Sequence, residues 1–256
     1  MLSFWEKNSF LNYDFIIIGS GILGLSTACE IKERNPNYSV LILEKGIFPT
    51  GASTRNAGFA CFGSLSEILS DFKRIGEDET VSLVEKRYEG INLLRKRLGD
   101  ERIGFLNYGG FELVDDKHLA SLEKVNHVNK KLMDIFGKDV FEITNEKIRE
   151  FGFSETLVKA LVYSPFESQI DTGKMMSSMI DHAGQLGIRI LNGCEAETIS
   201  EKENYVNVTV VNCYEKEKIN FSGKSLIICT NAFTKKIFPD IKVIPGRGQV
   251  IITKPV

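Results

Sequence analysis

The sequence lacks several features on which functional inference often rests. Its 256 residues include only three histidines and one tryptophan, and the net charge is −2. So few histidines argue against a histidine-based metal site, and we predict no metal. The near-neutral charge gives no electrostatic reason to expect nucleic acid as a partner. No apolar run is longer than a β-strand, so we expect no membrane span.

The five cysteines are scattered and never occur in a C-x-x-C spacing. This arrangement is typical of reduced, mostly buried thiols rather than of a disulfide framework or a zinc site. The N-terminus lacks the charged-then-apolar pattern of a signal peptide, so we expect a cytoplasmic location. At this length the chain can form one large domain or two modest ones.

The most informative stretch that is present runs from Asp14 to Glu44. A short β-branched strand leads into Gly19, Gly21 and Gly24, which are spaced as G-x-G-x-x-G. An apolar helical run and a second apolar strand follow, and Glu44 closes that second strand. An ordinary strand–turn–helix could carry the same glycines, but the acid at the expected distance favours a βαβ unit that binds a dinucleotide.

Each residue of this pattern has a physical role in such a site. Gly19 permits a sharp exit from the strand, Gly21 lets backbone amides approach a pyrophosphate, and Gly24 lets the helix pack close to the sheet. The pyrophosphate is expected on the helix N-terminus, where unpaired N–H groups and the helix dipole favour negative charge. Glu44 can accept hydrogen bonds from a ribose hydroxyl and would repel a ribose phosphate.

The loop from Gly51 to Gly58 is the second informative stretch. It is small and polar, and it contains Ser53, Thr54 and Asn56. Such a composition suits donors that converge on an anionic or heteroaromatic ligand, although an ordinary solvated loop has the same composition. Its position directly after the ribose-binding acid favours a cofactor role. A simple nicotinamide domain would more often continue with plain βα alternation.

Residues 99–155 carry no catalytic motif, and we interpret them as part of a second, inserted domain. They include a predicted amphipathic helix over residues 117–136. The character of the chain then returns to α/β, with a methionine-rich helix after Asp171 and Thr172 whose methionines are expected to pack in the core.

The pattern of the last third predicts an antiparallel meander formed by residues 195–199, 205–211 and 218–221. A separate buried strand is predicted over residues 225–229 and ends at Thr230 and Asn231. Ligands of doubly wound sheets bind beyond the carboxyl ends of the strands, so these two residues are candidate cofactor contacts.

The two ends of the chain carry exposed or unpaired apolar residues in this interpretation. Phe4, Trp5 and Phe10 are expected to pack against the edge of the domain. Val250–Thr253 is predicted to be a strand that either pairs with an earlier segment or remains an exposed edge.

Taken together, these stretches resemble the FAD-dependent oxidoreductases of the D-amino-acid oxidase, sarcosine oxidase and glycine oxidase superfamily. The resemblance runs from Tyr13 to Val256. Its most specific parts are the Gly19–Gly24 pattern with Glu44-Lys45, the Gly51–Gly58 loop, the Cys229–Ala232 segment and the closing Pro245–Gln249. It implies FAD as the cofactor and an α/β, Rossmann-like FAD-binding domain that combines a parallel sheet with a β-meander.

The resemblance also implies a discontinuous arrangement of domains. The FAD-binding domain is expected over residues 13–98 and 156–234. A partial α+β substrate domain, incomplete at the C-terminus, is expected over residues 99–155 and 235–256.

The resemblance further implies a set of cofactor contacts. The glycines face the pyrophosphate, Glu44 faces the adenosine ribose, the 53–58 loop lies along the pyrophosphate and the flavin, and the backbone near Glu195 and Ala196 meets the adenine. The predicted cofactor-binding residues are Gly19, Gly21, Ile22, Gly24, Glu44, Lys45, Ser53, Thr54, Asn56, Ala57, Gly58, Ala196, Thr230 and Asn231.

The chemistry that the resemblance implies is transfer of a hydride equivalent to flavin N5 from a C–H bond next to an amine, in an amino acid or a secondary amine. Oxygen or a respiratory acceptor then reoxidises the flavin. The main alternative substrate is a 2-hydroxyacid, as in hydroxyglutarate-type oxidases and dehydrogenases. The expected partner is therefore a small molecule, and no oligomeric state is predicted.

No catalytic acid or base is assigned. Arg55 and Asn56 are the nearest polar candidates, but positioning is an equal alternative to catalysis. Arg247 could contact a substrate carboxylate, although a structural role at the start of a strand is preferred. For Cys61 we favour a buried free thiol over a covalent link to flavin.

The chain departs from the resemblance at its C-terminus. Members of the superfamily continue well past the position equivalent to Val256, and that part completes the substrate-domain sheet, supplies the arginine that binds the substrate carboxylate and caps the flavin. We therefore expect a fragment or a truncated relative. Two further hypotheses stay open at this point, a non-catalytic FAD-binding remnant and a nicotinamide dehydrogenase.

Overall fold

A computed structural model describes residues 3–212, 218–246 and 248–253 of the chain. Within these residues the α-helices are α1 (Phe4–Phe10), α2 (Ile22–Arg34), α3 (Leu65–Ile75), α4 (Glu77–Leu98), α5 (Asp100–Ile103), α6 (Val125–Phe136), α7 (Lys147–Glu150) and α8 (Thr172–Gln185). Short 3-10 helices cover Ala52–Thr54, Leu119–Lys124 and Asn231–Lys236.

The strands of the described residues form three sheets. They are β1 (Asn12–Ile18), β2 (Val40–Leu43), β3 (Phe59–Ala60), β4 (Gly110–Val114), β5 (Glu142–Ile143), β6 (Ala160–Ser164), β7 (Ser168–Gln169), β8 (Arg189–Leu191), β9 (Cys194–Glu201), β10 (Val206–Asn212) and β11 (Lys218–Ile228).

The chain folds as two compact units. The first, unit 1, comprises Met1–Ala57 and Thr172–Val256, and the second, unit 2, comprises Gly58–Asp171. The first boundary therefore falls well before residue 98, because α3 and α4 pack into the core of unit 2. The assignment of the units to cofactor and substrate stays a prediction.

Unit 1 is built on a six-stranded sheet with the order β8-β2-β1-β11-β10-β9. The first four of these strands run parallel, and β10 is antiparallel to both β11 and β9. This combination of a parallel sheet with an antiparallel meander is the Rossmann-like arrangement that the sequence predicted. Strand β2 is apolar and buried at every residue, as expected of a parallel strand that is covered on both faces.

Strand β11 differs from the prediction of two separate strands. It is continuous from Lys218 to Ile228, and it pairs with β10 on one side and with β1 on the other. The Ser-Gly pair at its centre resembles a turn in sequence, but Gly223 lies where the strands approach closely. A Cβ on Gly223 would lie 2.8 Å from Cγ1 of Ile16, so this position excludes a larger side chain.

Helices α2 and α8 pack on each other in unit 1. Helix α2 corresponds to the helical run predicted after the glycines, and it buries Leu25, Ala28 and Cys29, among others. The methionine-rich stripe of α8 is buried as predicted, with Met175 and Met179 each 1% exposed. A second apolar cluster, which includes Ile16, Leu41, Val208 and Phe221, joins the parallel and antiparallel parts of the sheet.

Unit 2 is an α+β unit. Its antiparallel sheet has the order β4-β6-β5, and β3 pairs separately with β7. Rings of Phe62, Tyr88 and Phe166 surround Phe136, with centroid distances of 4.6 to 4.8 Å from Phe136. This aromatic group lies within the main apolar core of the unit.

The structure corrects the helix predicted over residues 117–136. The first half is a 3-10 segment that begins after His118, and only Val125–Phe136 is α-helical. Two local bonds favour the tighter turns, because the hydroxyl of Ser121 donates to the carbonyl of His118 and the amide of His118 donates to the carbonyl of Asp115. Side chains that bond to nearby backbone in this way compete with α-helix formation.

The predictions for the two ends of the chain are wrong except for Phe10, whose ring centroid lies 4.7 Å from the guanidinium of Arg189 in the edge strand β8. Helix α1 has no buried residue, and Trp5 is 73% exposed. Residues 250–253 form no strand within the described part of the chain, and Ile252 is 94% exposed. A β-strand needs a partner for its backbone groups, and sequence pattern alone cannot supply one.

Candidate dinucleotide site

The glycine-rich turn between β1 and α2 brings three backbone segments close together. Gly19 has φ +104°, a conformation that favours glycine, and its N–H donates to the carbonyl of Leu43 at 2.8 Å. A Cβ on Gly19 would lie 2.6 Å from the carbonyl oxygen of Cys229, and a Cβ on Gly24 would overlap the carbonyl oxygen of Gly19. Both glycines are therefore required by close backbone approach, as predicted.

The N-terminus of α2 opens at this turn. Gly21 is its N-cap and has no side chain with which to bond the first amides, and the first turn of this fully described helix contains no acidic residue. The N–H of Ile22 donates to the hydroxyl of Ser53 at 3.0 Å. A serine hydroxyl that accepts one bond keeps its own O–H as a donor, so Ser53 can still bond an anion.

The carboxylate of Glu44 faces the same turn. Its Oε2 accepts bonds from the N–H of Ser20 at 2.9 Å and from the Ser20 hydroxyl at 2.8 Å, and its Oε1 accepts from the N–H of Gly46 at 2.8 Å. Ser20 is fully buried, and sequence analysis did not identify it. Its only sequence signal is its place between Gly19 and Gly21.

The start of β9 lies beside the end of β2. The N–H of Cys194 donates to the carbonyl of Glu44 at 2.8 Å, which places Ala196 two residues from this contact. Lys45 forms an ion pair with Glu195 at 2.7 Å, and this hydrogen bond raises the pKa of Lys45. The structure thus brings Ala196 close to Glu44 and Lys45, which are far from it in sequence.

The 51–58 loop uses two of its predicted contact residues internally. The hydroxyl of Thr54 donates to the carbonyl of Pro49 at 3.0 Å. The Asn56 amide donates to the carbonyl of Ser53 at 3.0 Å and accepts from the hydroxyl of Thr172 at 3.0 Å. These bonds hold the loop against the start of α8.

The end of β11 brings further predicted residues to the glycine turn. The N–H of Cys229 donates to the carbonyl of Ile18 at 2.8 Å, so Thr230 and Asn231 lie just beyond the carboxyl end of a strand adjacent to β1. Asn231 has φ 45°, in the left-handed region that asparagine tolerates better than most residues. Burial raises the pKa of the Cys229 thiol.

The remaining candidates lie at the end of the first segment of unit 1, in unit 2 or outside the described residues. Ala57 ends the first segment of unit 1, and Gly58 begins unit 2 with φ +73°. Cys61, also in unit 2, is exposed, which corrects the prediction of a buried thiol. Partial desolvation of its sulfur raises its pKa, as do the nearby carboxylates. Arg247, like Cys213, lies outside the described residues.

Two other findings bear on the type of site. In the part of the chain that the structure describes, no group of three or more histidine, cysteine, aspartate or glutamate side chains is arranged to hold a metal ion. None of the described helices is both long enough and apolar enough to cross a bilayer.

A glycine turn at a helix N-terminus, with an acid at the end of the second strand, defines a dinucleotide-binding α/β protein. The sequence matches the family described as FAD dependent oxidoreductase (DAO) over residues 14–256, and the chain belongs to this family. The predicted family is confirmed, and FAD is the cofactor of the family.

Individual relatives differ in their substrates. The chain is 23% identical over 263 residues to the γ-glutamylputrescine oxidoreductase of Escherichia coli, with 96% of this chain and 56% of the relative covered. It is 24% identical over 246 residues to the L-2-hydroxyglutarate dehydrogenase of Indibacter alkaliphilus, with 93% and 57% covered. The chain thus spans little more than half the length of each of these two relatives.

Similarity also extends to solved structures. The glycine oxidase of Geobacillus kaustophilus superposes with a TM-score of 0.64 at 20% identity, and the match covers 90% of this chain and 58% of that one. At this level of identity the similarity establishes the fold alone, and it confirms the predicted fold class.

Proposed function

We propose that unit 1 binds FAD at the glycine turn and that the protein oxidises an amino acid or a secondary amine. The observation that carries the proposal is the orientation of Glu44, whose carboxylate faces the glycine turn and is fixed by Ser20 and Gly46. Each carboxylate oxygen has two acceptor positions. Glu44 therefore retains capacity for a ribose hydroxyl while it is held by the backbone.

The donor set at the turn fits an adenine dinucleotide. The N-terminus of α2 offers backbone N–H groups and the positive end of its dipole to a pyrophosphate. Gly19 and Gly24 keep the backbone surface free of side chains, and the Ser53 hydroxyl adds one donor at the same end of the helix. Thr230 and Asn231 are proposed to line the other side of the turn, beyond the end of β11.

When bound, FAD would supply the hydride acceptor, flavin N5, for a C–H bond next to the substrate nitrogen. The residues of this chain would bind and orient the dinucleotide. Glu44 would hold the ribose, α2 the pyrophosphate, and Asn56 would fix the loop that follows by its bonds to Ser53 and Thr172.

Two substrate classes are supported by the relatives. The γ-glutamylputrescine oxidoreductase acts, by its name, on an amine, and the L-2-hydroxyglutarate dehydrogenase acts on a hydroxyacid. We place the amine class first and keep the hydroxyacid class as the alternative.

Anaerobic titration tests the proposal. The purified chain is loaded with FAD, and its visible flavin absorbance is followed after addition of sarcosine, of glycine or of 2-hydroxyglutarate. We expect bleaching by an amine and none by the hydroxyacid. Bleaching by the hydroxyacid alone would replace the proposed substrate class by the alternative. A chain that retains FAD but is bleached by neither class would contradict the proposed activity while leaving FAD binding intact.

A further inference from the structure

Unit 2 contains a group of acidic side chains at the edge of its apolar core. Glu167 lies between β6 and β7, Glu112 lies on β4, and Glu67 lies in the first turn of α3. Both neighbours raise the pKa of Glu167 electrostatically. Ser164 ends β6 and pairs in register with Gly110 of β4, and we call Glu67, Glu112, Glu167 and Ser164 the acidic cluster.

The side chain of Glu167 occupies space that is open because residue 110 is a glycine. A Cβ on Gly110 would overlap the carboxylate of Glu167, so this carboxylate occupies the space that any other residue at position 110 would fill. Glu112 is two residues further along the same strand and therefore projects from the same face.

The buried hydroxyl of Ser164 is an independent indication that a ligand binds here. It is 2% exposed, and among the described residues its hydroxyl has no hydrogen-bond partner. Ser164 is the register partner of Gly110, and directly opposed residues of an antiparallel pair project from the same face. Its hydroxyl thus lies on the face that carries the Glu167 carboxylate. A buried hydroxyl without a partner carries a free-energy cost that a bound polar group would remove.

The carboxylates of Glu112 and Glu67 accept hydrogen bonds from backbone N–H groups at the start of α3. Both oxygens of Glu112 accept from the N–H of Ser66 at 3.3 Å, and Glu67 accepts from the N–H of Ser64 at 3.0 Å. Glu167 itself has neither a hydrogen-bond donor nor a paired cation among the side chains that the structure describes. A half-buried acid without a counter-ion is unusual, because burial of an unpaired charge is costly.

Two further ionisable groups face this region. Cys61 lies close enough for Glu167 and Glu67 to raise its pKa. The guanidinium of Arg87 donates to the carbonyl of Phe62 at 3.1 Å. Its positive charge lowers the pKa of Cys61, whereas the two carboxylates raise it. Neither group neutralises Glu167.

We propose that the acidic cluster binds a small organic ammonium ion, with its N–H groups donated to Glu167, Glu112 and the hydroxyl of Ser164. An ammonium group has three donors and no acceptor, and the cluster offers acceptors. A metal ion is the weaker alternative, because the described side chains form no group arranged to hold one. The proposal goes beyond the proposed FAD chemistry and does not depend on it.

The proposal predicts a distinctive pH dependence. Burial, together with Glu112 and Glu67, raises the pKa of Glu167 to about 7. Below this pH the acid is neutral and attracts a cation weakly, whereas above it the carboxylate is charged. Affinity for an alkylammonium ion, which stays protonated from pH 6 to 8.5, should therefore rise across this range.

Calorimetric titration of the full chain with n-butylammonium chloride tests the site directly. We expect binding at pH 8.5 that is weaker at pH 6, and no comparable binding of n-butanol, which has the same shape without the charge. Glu167→Gln should weaken the binding by about fivefold or more and remove its pH dependence. Ser164→Ala should weaken it as well.

Glu123→Gln is the matched control, since it removes the same charge from an exposed position of unit 2. Circular dichroism and thermal unfolding of each variant separate loss of the site from loss of the fold. Equal affinity in wild type and Glu167→Gln would overturn the proposal. So would binding of n-butanol as tight as that of the amine, or binding of Mg²⁺ that excludes the amine. Because FAD absorbance is not the readout, failure here is distinguishable from failure of the proposed flavin site.

Discussion

Glu44 accepts two hydrogen bonds from Ser20, one from its backbone N–H at 2.9 Å and one from its hydroxyl at 2.8 Å. The second strand of the βαβ unit is thereby tied to the glycine turn that follows the first strand. These bonds hold the Glu44 carboxylate in place without a ligand. A binding group that is held in place before the ligand arrives loses less entropy on binding.

Glu44→Gln should weaken FAD binding by about tenfold, measured from the quenching of flavin fluorescence. Both oxygens of Glu44 accept from backbone N–H groups, and a glutamine would direct its own N–H₂ at one of them. Glu203→Gln, at an exposed position of the same unit, is the control and should leave affinity unchanged. Unchanged affinity in Glu44→Gln would remove this residue from the proposed site.

Gly24→Ala should abolish FAD binding and destabilise the chain, because the new methyl group overlaps the Gly19 carbonyl oxygen. Gly90→Ala is the helical control, since a Cβ there meets no atom within 4 Å. That variant should be stabilised by about 0.5–1 kcal/mol from the higher helix propensity of alanine. Thermal unfolding and flavin retention measure both effects, and a Gly24→Ala chain that keeps its flavin would contradict the described turn.

Asp14 contributes stability that depends on pH. It forms an ion pair with Lys224 at 2.7 Å, and its carboxylate accepts from the N–H and hydroxyl of Ser39. These contacts, with Lys224 the largest, lower the pKa of Asp14 to about 2. Because the pKa of Asp14 is lower in the folded chain, its ionised carboxylate stabilises the fold fully above the pKa of the unfolded chain, near 4. This stabilisation is lost as the pH falls through about 2.

Asp14→Asn should therefore lower the free energy of unfolding by about 1 kcal/mol at pH 7, with a difference that shrinks between pH 4 and 2. Urea unfolding at several pH values measures this. Asp240→Asn, at an exposed position, is the control and should show no such trend. A difference that grows as the pH falls would have the wrong sign for a carboxylate stabilised in its charged form.

Asn129 holds the segment that follows α6 in unit 2. This buried side chain donates to the carbonyl of Phe141 at 2.9 Å and accepts from the N–H groups of Val140 and Phe141. Asn129→Ala leaves three buried backbone groups without partners, so we expect a loss of about 3 kcal/mol in unfolding free energy. Asn126→Ala, on the exposed side of the same helix, should be neutral within about 0.5 kcal/mol. Equal effects of the two variants would contradict this account.

The sequence predicted those parts of the site whose structure depends only on residues nearby in the chain. Helix α2, the need for glycine at Gly19 and Gly24, and the position of Glu44 follow from spacing and from the two structural periods, 2 and 3.6. The methionines of α8 were predicted as core residues for the same reason. Periodicity records which face of a helix or strand is buried.

Contacts between distant segments could not be predicted in this way. Ser20 is an ordinary position in sequence, yet it supplies two bonds to Glu44. The continuity of β11 depends on β1 and β10 pairing with it from opposite sides, and the local Ser-Gly pair indicated a turn instead. The acidic cluster depends on the register between Gly110 and Ser164.

The sequence by itself determined the family, the cofactor class and the βαβ unit, because these depend on residue types at fixed spacing. The tertiary structure alone decided where the two units divide, which strand pairs with which, and which polar groups are buried without partners. The physical reason is that hydrogen bonding and burial are satisfied between segments far apart in the chain, and no local pattern specifies which segments will meet.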